Sequence, residues 1–235
     1  MRGAAYFKLL RLSLLVIAGR RFWLLPLLPL VWLGVVRILM LIDSSMVYDD
    51  TSVQGPLLAV PLTLLAVFLG IRIIAGEIED RSLEIAYTVP GGCKRIWFTK
   101  LIAAGLVIVS AEILVASAVY VFITPFPAGV LYGALQAAGF YLILAMAMAT
   151  LFRSEAAGAM ATAAVLGMNG AITDFGDNQI RISPFWNPYA MEDTDPTELF
   201  AWTLQNHIGI LLAIVAIGSL AFMRANRREH MLGGS

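Results

Sequence analysis

The side chains in this chain that could do chemistry are few and scattered. One cysteine, Cys93, excludes an internal disulfide, and with only His207 and His230 beside it the chain cannot assemble a usual zinc site. Cys93 reads as a bystander. Nucleotide hydrolysis would need a GxxxxGK[ST] loop. The nearest approach, Pro90-Gly91-Gly92-Cys93-Lys94-Arg95, lacks that spacing and the following Ser or Thr. Glu112 stands alone in a long apolar run, where an ionised carboxylate costs about 2.5–3.5 kcal/mol. It has two readings: a contact for a cationic or polar substrate or a gate, or a neutral or paired glutamate joining helices with Arg37, Gln136 or Asn169. Gln136 and Asn169 themselves suit hydrogen bonds between helices. None of these residues makes a catalytic set.

The densest cluster of charge lies in GEIEDRSLEIAYTVPGGCKRIWFTK, Gly76 to Lys100. Glu77, Glu79 and Asp80 favour a helix start, and Leu83 and Tyr87 stand at i and i+4 with Ile78 near that side. Pro90, Gly91 and Gly92 then end the helix, and Lys94, Arg95 and Lys100 lead back into apolar sequence. The spacing predicts a short amphipathic helix followed by a hard turn. It is held between two hydrophobic walls.

Those walls identify the class of protein. Sixty per cent of the residues are hydrophobic and the mean hydropathy is +0.82, well beyond a soluble domain. A helix needs about 20 apolar residues to cross a bilayer, and six stretches qualify: 22–42, 57–75, 101–123, 129–152, 156–172 and 203–223. The expected fold is therefore an all-α polytopic membrane protein, a single transmembrane domain over 1–235. Zero net charge leaves no basic surface for nucleic acid. The N-terminal 1–21 stretch places Tyr6, Phe7, Leu10, Leu14 and Ile17 on one side and Lys8 and Arg11 on another. It reads as a helix lying in the interface, or as an inward extension of the first span.

Of the 16 Lys and Arg residues, all but Arg37 and Arg181 fall at one end of these spans, with both termini and the charged stretch. Basic residues resist translocation, so that end is expected to be cytoplasmic. The other end carries Asp43, Asp49, Asp50, Asp174, Asp177 and further acids. These are called the basic and acidic ends below. Aromatic residues are placed at both interfaces, Trp97 at the basic end and Trp186 at the acidic end among them. The long connection over 173–202 alternates aromatics with prolines and reads either as a cap dipping into the bundle or as a solvated loop. In the fifth span Ala163, Gly167 and Ala171 recur every fourth residue, a spacing that brings helices close in lipid, so an interior or interface helix is expected.

The charged stretch resembles the loop after the second span in permease subunits of type-2 ATP-binding-cassette (ABC) transporters. There an acidic residue precedes a Gly/Ser-Thr/Ser-Leu-Glu segment, a proline, a basic residue and a lysine entering the third span. Here Glu77 and Glu79 precede Arg81-Ser82-Leu83-Glu84, then Pro90, Lys94 or Arg95, and Lys100. Arg81-Ser82 departs from the usual Gly-Thr. The resemblance implies a six-span exporter whose 76–100 segment is a coupling helix docking on a separate cytoplasmic ABC ATP-binding subunit. The docking residues would be Glu77, Glu79, Asp80, Ser82, Leu83, Glu84, Tyr87, Pro90, Lys94 and Arg95. It further implies ATP and Mg2+ on that partner and no cofactor on this chain, which would not itself be an enzyme. A second copy or a related permease, surrounding lipids, and a bacterial inner membrane as the cell membrane complete the picture. Two rivals stand beside it. An ion-coupled secondary transporter would use Glu112, although no inverted repeat is evident. An intramembrane enzyme would need a nucleophile with its base, or clustered ligands, within the spans.

Overall fold

Lipid offers no partner to a backbone amide, so the apolar runs must become helices. The computed structural model describes residues 2–43, 48–49, 51–80, 92–173, 180–191 and 194–226. α1 (Arg2–Ala18) is followed by a 3-10 helix (Phe22–Leu27) that runs into α2 (Leu28–Ile42). A π-helix (Gln54–Ala59) runs into α3 (Val60–Ile71), and α4 (Ala75–Glu79) ends that arm. Then come α5 (Gly92–Phe122), α6 (Gly129–Phe152), α7 (Glu155–Thr173) and α8 (Pro196–Ala225). Six stretches are long and apolar enough to cross a membrane: Phe22–Ile42, Gln54–Glu79, Cys93–Phe122, Gly129–Phe152, Glu155–Thr173 and Pro196–Ala225. The protein is an all-α, multi-pass membrane protein.

Three boundaries differ from the sequence expectation. The second span starts at Gln54 rather than 57, and the sixth at Pro196 rather than 203. Asp195 caps the sixth, its Oδ1 accepting from the Thr197 amide at 2.8 Å, with Pro196 in the first turn. The largest difference concerns the expected 76–100 coupling segment. α4 carries the second arm to Glu79 and α5 already begins at Gly92, so 80–91 alone joins them. Cys93, Trp97 and Lys100 are all buried, and only a helix brings residues so spaced onto one face. The 31 residues of α5 extend about 46 Å, more than the roughly 30 Å hydrocarbon layer.

The second span is the hub. In its most apolar stretch 72% of residues are buried, against 22% in the first, fifth and sixth spans. α3 packs chiefly on α6, and Gly70 makes the approach possible, since a Cβ there would collide with the Leu142 carbonyl and Ala145 Cβ. Arg153, left-handed at φ 58°, ends α6 and turns the chain into α7, where Gly158 lies against the Ala149 backbone. α1 packs along α5, with Ile17 buried, Leu10 and Leu14 half-buried, and Lys8 and Arg11 exposed.

Two prolines explain the irregular start of the second span. In the π-register the Val60 amide bonds the Gly55 carbonyl, and the next donor in line would be residue 61 for the Pro56 carbonyl. Residue 61 is proline and has no N–H. The Trp32 indole of α2 supplies the missing donor, Nε1 to Pro56 O at 2.8 Å. This bond ties the first span to the hub. Trp32→Phe keeps an aromatic ring but removes the indole N–H and part of the volume, leaving that carbonyl unpaired at a cost of about 1–3 kcal/mol. A lowered thermal midpoint of the purified variant is expected by fluorescence-detected size exclusion; melting together with wild type would refute the assignment.

Candidate functional site

The basic end holds a continuous polar joint around the root of the 80–91 segment. Glu77 at the end of the second arm is buried, and its Oε1 lies 2.8 Å from Lys100 Nζ of α5. Its Oε2 accepts from Trp97 Nε1 at 2.8 Å, while Lys100 also donates to the Ile73 carbonyl at 3.3 Å. Both arms entering 80–91 are thus clamped by one buried ion pair. Glu79, although exposed, accepts from the Glu155 amide at 2.7 Å and so caps α7 from another element. Glu155 Oε2 in turn meets Arg72 Nε at 3.2 Å, and Arg72 Nη1 donates to Ile17 O at 2.8 Å, at the end of α1. Gly76 leaves room for this arrangement, since a Cβ there would press on Glu155 Oε1. The joint therefore links α1, the second arm, α5 and α7.

The expected docking residues divide accordingly. Glu77 does not face outward, because its carboxylate is consumed by Lys100 and Trp97. Glu79 is engaged with α7. Asp80, Lys94 and Arg95 are exposed. Ser82, Leu83, Glu84, Tyr87 and Pro90 lie outside the described residues. Sequence reasoning marked neither Arg72 nor Glu155 for this joint. The signal available for Lys100 was its sign, opposite to that of Glu77 at the facing end of the neighbouring span. Trp97, assigned to an interface belt, is fully buried because its N–H serves Glu77.

At the acidic end the 180–191 segment is plugged into the bundle. Ser183, Phe185, Trp186 and Asn187 are buried. Gln54 Nε2 donates to Trp186 O at 2.7 Å, and Asn187 Nδ2 to Thr51 O at 2.6 Å. Asn206 of α8 donates to Ser183 O at 2.8 Å and accepts from Gln136 Nε2 of α6 at 2.7 Å. Gly133 makes space for the Gln54 amide. Of the two readings of this connection, the capping one describes these residues. Trp186 thus sits inside the plug and not in an interface belt. Asp49, which precedes the second span, accepts at Oδ1 from the Thr51 hydroxyl and the Ser52 amide, both at 2.9 Å. Those bonds, Ser52's foremost, hold its carboxyl below the usual carboxylate range.

Glu112 has none of its expected partners. Gln136 is bonded to Asn206, Asn169 Oδ1 accepts from Thr173 of its own helix at 3.1 Å, and Arg37 is exposed. The Glu112 side chain is buried and its Oε1 meets no hydrogen-bond donor among the described residues. The fifth-span stripe also differs from an interior helix. Ala163, Gly167 and Ala171 are exposed, while Gly158, Thr162 and Thr173 form the inner face.

Six apolar spans, clamped at one end by charge and plugged at the other by amides, define a membrane-embedded transport scaffold. No group of three or more His, Cys, Asp or Glu side chains able to hold a metal occurs among the described residues. A family model described as ABC-2 family transporter protein matches residues 19–172, and the chain belongs to that family. It is a membrane-spanning permease component of an ABC transporter; permeases of this family are membrane components not themselves catalytic and generally work with an ATP-binding subunit. No match was found among curated proteins or solved structures.

The joint yields a thermodynamic test. Lys100→Met strands a buried carboxylate and should cost about 3–5 kcal/mol, whereas Glu77→Gln with Lys100→Met should recover most of that loss. Unfolding of the single and double variants in mixed micelles measures the coupling. Strict additivity would mean that the two side chains do not interact.

Proposed function

We propose that this permease is half of an exporter, paired with a second copy or a related permease and driven by a separate cytoplasmic ABC ATP-binding subunit docking on the 80–91 segment. The observation that carries the reading is the clamp at the root of that segment, where Glu77–Lys100 and Glu79–Glu155 fasten it to three membrane helices. A push delivered at the ends of that segment reaches the second, third and fifth spans through these bonds. Asp80, Ser82, Leu83, Glu84, Tyr87, Pro90, Lys94 and Arg95 form the docking surface, with apolar anchors for affinity and rim charges for register. ATP and Mg2+ bind to the partner. The basic end faces the cytoplasm of a bacterial inner membrane, in keeping with its lysines and arginines. The uncovered Ala163–Gly167–Ala171 stripe offers a second permease a close helix contact.

Co-expression with the ATP-binding subunit tests the docking. Leu83→Ala, Glu84→Ala and Tyr87→Ala together should lower its recovery with the tagged permease at least tenfold while the permease stays in the membrane. Equal recovery and equal ATPase stimulation would overturn the assignment.

A second reading rests on Glu112, whose buried and unpartnered carboxylate suits an ion-coupled carrier. Energy source separates the two. Transport that continues without the ATP-binding subunit, stops with a proton ionophore and is lost in Glu112→Gln supports the carrier. Transport that requires the subunit and ignores the ionophore removes it.

A further inference from the structure

The first and second spans enclose an open, wholly apolar groove of about 440 Å³. Leu28, Val31 and Val35 of α2 form one wall, Leu64 and Phe68 of α3 the other, and Pro61 contributes to the floor. The wall residues are exposed. Trp32 also lines the groove, but its indole N–H is spent on Pro56 O. A hydrocarbon chain is the matching occupant, since the walls offer nothing to a polar one. α2 and α3 run in opposite directions, so Leu28 and Phe68 mark one mouth, at the basic end.

That mouth is cationic. The Arg72 guanidinium lies over the Phe68 ring, 5.6 Å from its centroid, and its Nη1 bonds Ile17 O. Arg20 follows Ile17 by three residues, which keeps its Cα within about 11 Å of that of Ile17. Gly19, left-handed at φ 73°, ends α1 there and turns the chain toward the first span. Arg20 and Arg21 are exposed and have no ion-pair partner among the described residues. Arg72 is paired with Glu155 at 3.2 Å, but no acidic residue precedes Asp43 in the chain, so Arg20 and Arg21 have no compensating charge within their own segment.

We propose that the groove holds an acyl chain of an anionic glycerophospholipid whose phosphate sits at Arg20 and Arg21. Guanidinium groups bind phosphate through paired N–H donors, and a cationic cluster at the head of an apolar channel matches both halves of such a lipid. A second copy seated here through a two-fold axis would bring like arginine clusters together, which disfavours self-association through this face.

Native mass spectrometry of the purified full chain with equimolar dioleoyl-phosphatidylglycerol and dioleoyl-phosphatidylcholine tests the assignment. The wild type should retain the glycerol lipid at least fivefold over the choline lipid. Arg20→Gln and Arg21→Gln should each reduce that preference roughly fivefold, bringing the double variant close to parity. Leu64→Trp should fill the groove and lower retention of both lipids. Equal retention by the wild type, or an undiminished preference in the double arginine variant, overturns the proposal. A Leu64→Trp variant that changes oligomeric state with unchanged lipid retention identifies a seam between chains and also overturns it. Should Leu64→Trp aggregate, the wild-type competition and the arginine variants decide alone.

Discussion

A charge carried into an apolar bundle must take its counter-charge with it. The Glu77–Lys100 pair meets that requirement, and the architecture of the basic end follows from it. Uncompensated, either ion would be expelled, and the second and third spans would part where they meet the 80–91 segment. Paired at 2.8 Å, with Trp97 and Ile73 completing the coordination, they allow α5 to start at Gly92 and to run unbroken for 31 residues. The ion pair thus lets the basic end of the third span be buried with Lys100 inside it. A bond of this kind contributes less to stability than to register, because the desolvation of both ions offsets much of their attraction.

The second span depends on a different compensation. Its prolines at 56 and 61 break the regular ladder, and inside lipid each freed carbonyl needs a donor from a neighbour. Trp32 provides one from the first span. At the mouth of the same irregular turn, Gln54 reaches across to Trp186 and holds the plug. A local departure from α-helix has become the meeting point of the first span, the second span and the acidic-end connection.

Much of this was legible from apolar run lengths alone, because the span count needs only the bilayer's thickness. Where the reading fell short, the reason was pairing between residues distant in sequence. Lys100 reads as a loop residue to any hydropathy window, and only Glu77, on another helix, makes it a helix-interior one. Pro196 behind Asp195 was a visible helix-start signal, yet the apolar run beginning near 203 outweighed it. The plug could not be decided from composition, since it rests on which amide Gln54, Gln136 and Asn206 each find. The small-residue stripe of the fifth span, expected at an interior or interface contact, is exposed, and Gly158 and Thr162 on another side of the same helix pack inside. Glu112 was assigned partners by plausibility of type, and the helices direct those partners elsewhere.

The two ends are held by bonds of unequal kind. Between elements, the basic end uses ion pairs, Glu77 with Lys100 and Glu155 with Arg72, while the plug at the acidic end is held by neutral amides and carbonyls, the carboxylates of Asp49 and Asp195 serving only their own turns. Hydrogen bonds involving charge are worth about 1.5–3 kcal/mol and neutral ones about 0.5–1.5 kcal/mol, but desolvation of two buried ions offsets much of that difference, so the ends differ in geometric demand more than in strength. A buried ion that loses its partner is costly, whereas a neutral amide can exchange one carbonyl for another. That demand fixes the second, third and fifth spans to one another beside the 80–91 segment, because Glu77–Lys100 joins the second to the third and Arg72–Glu155 joins the second to the fifth.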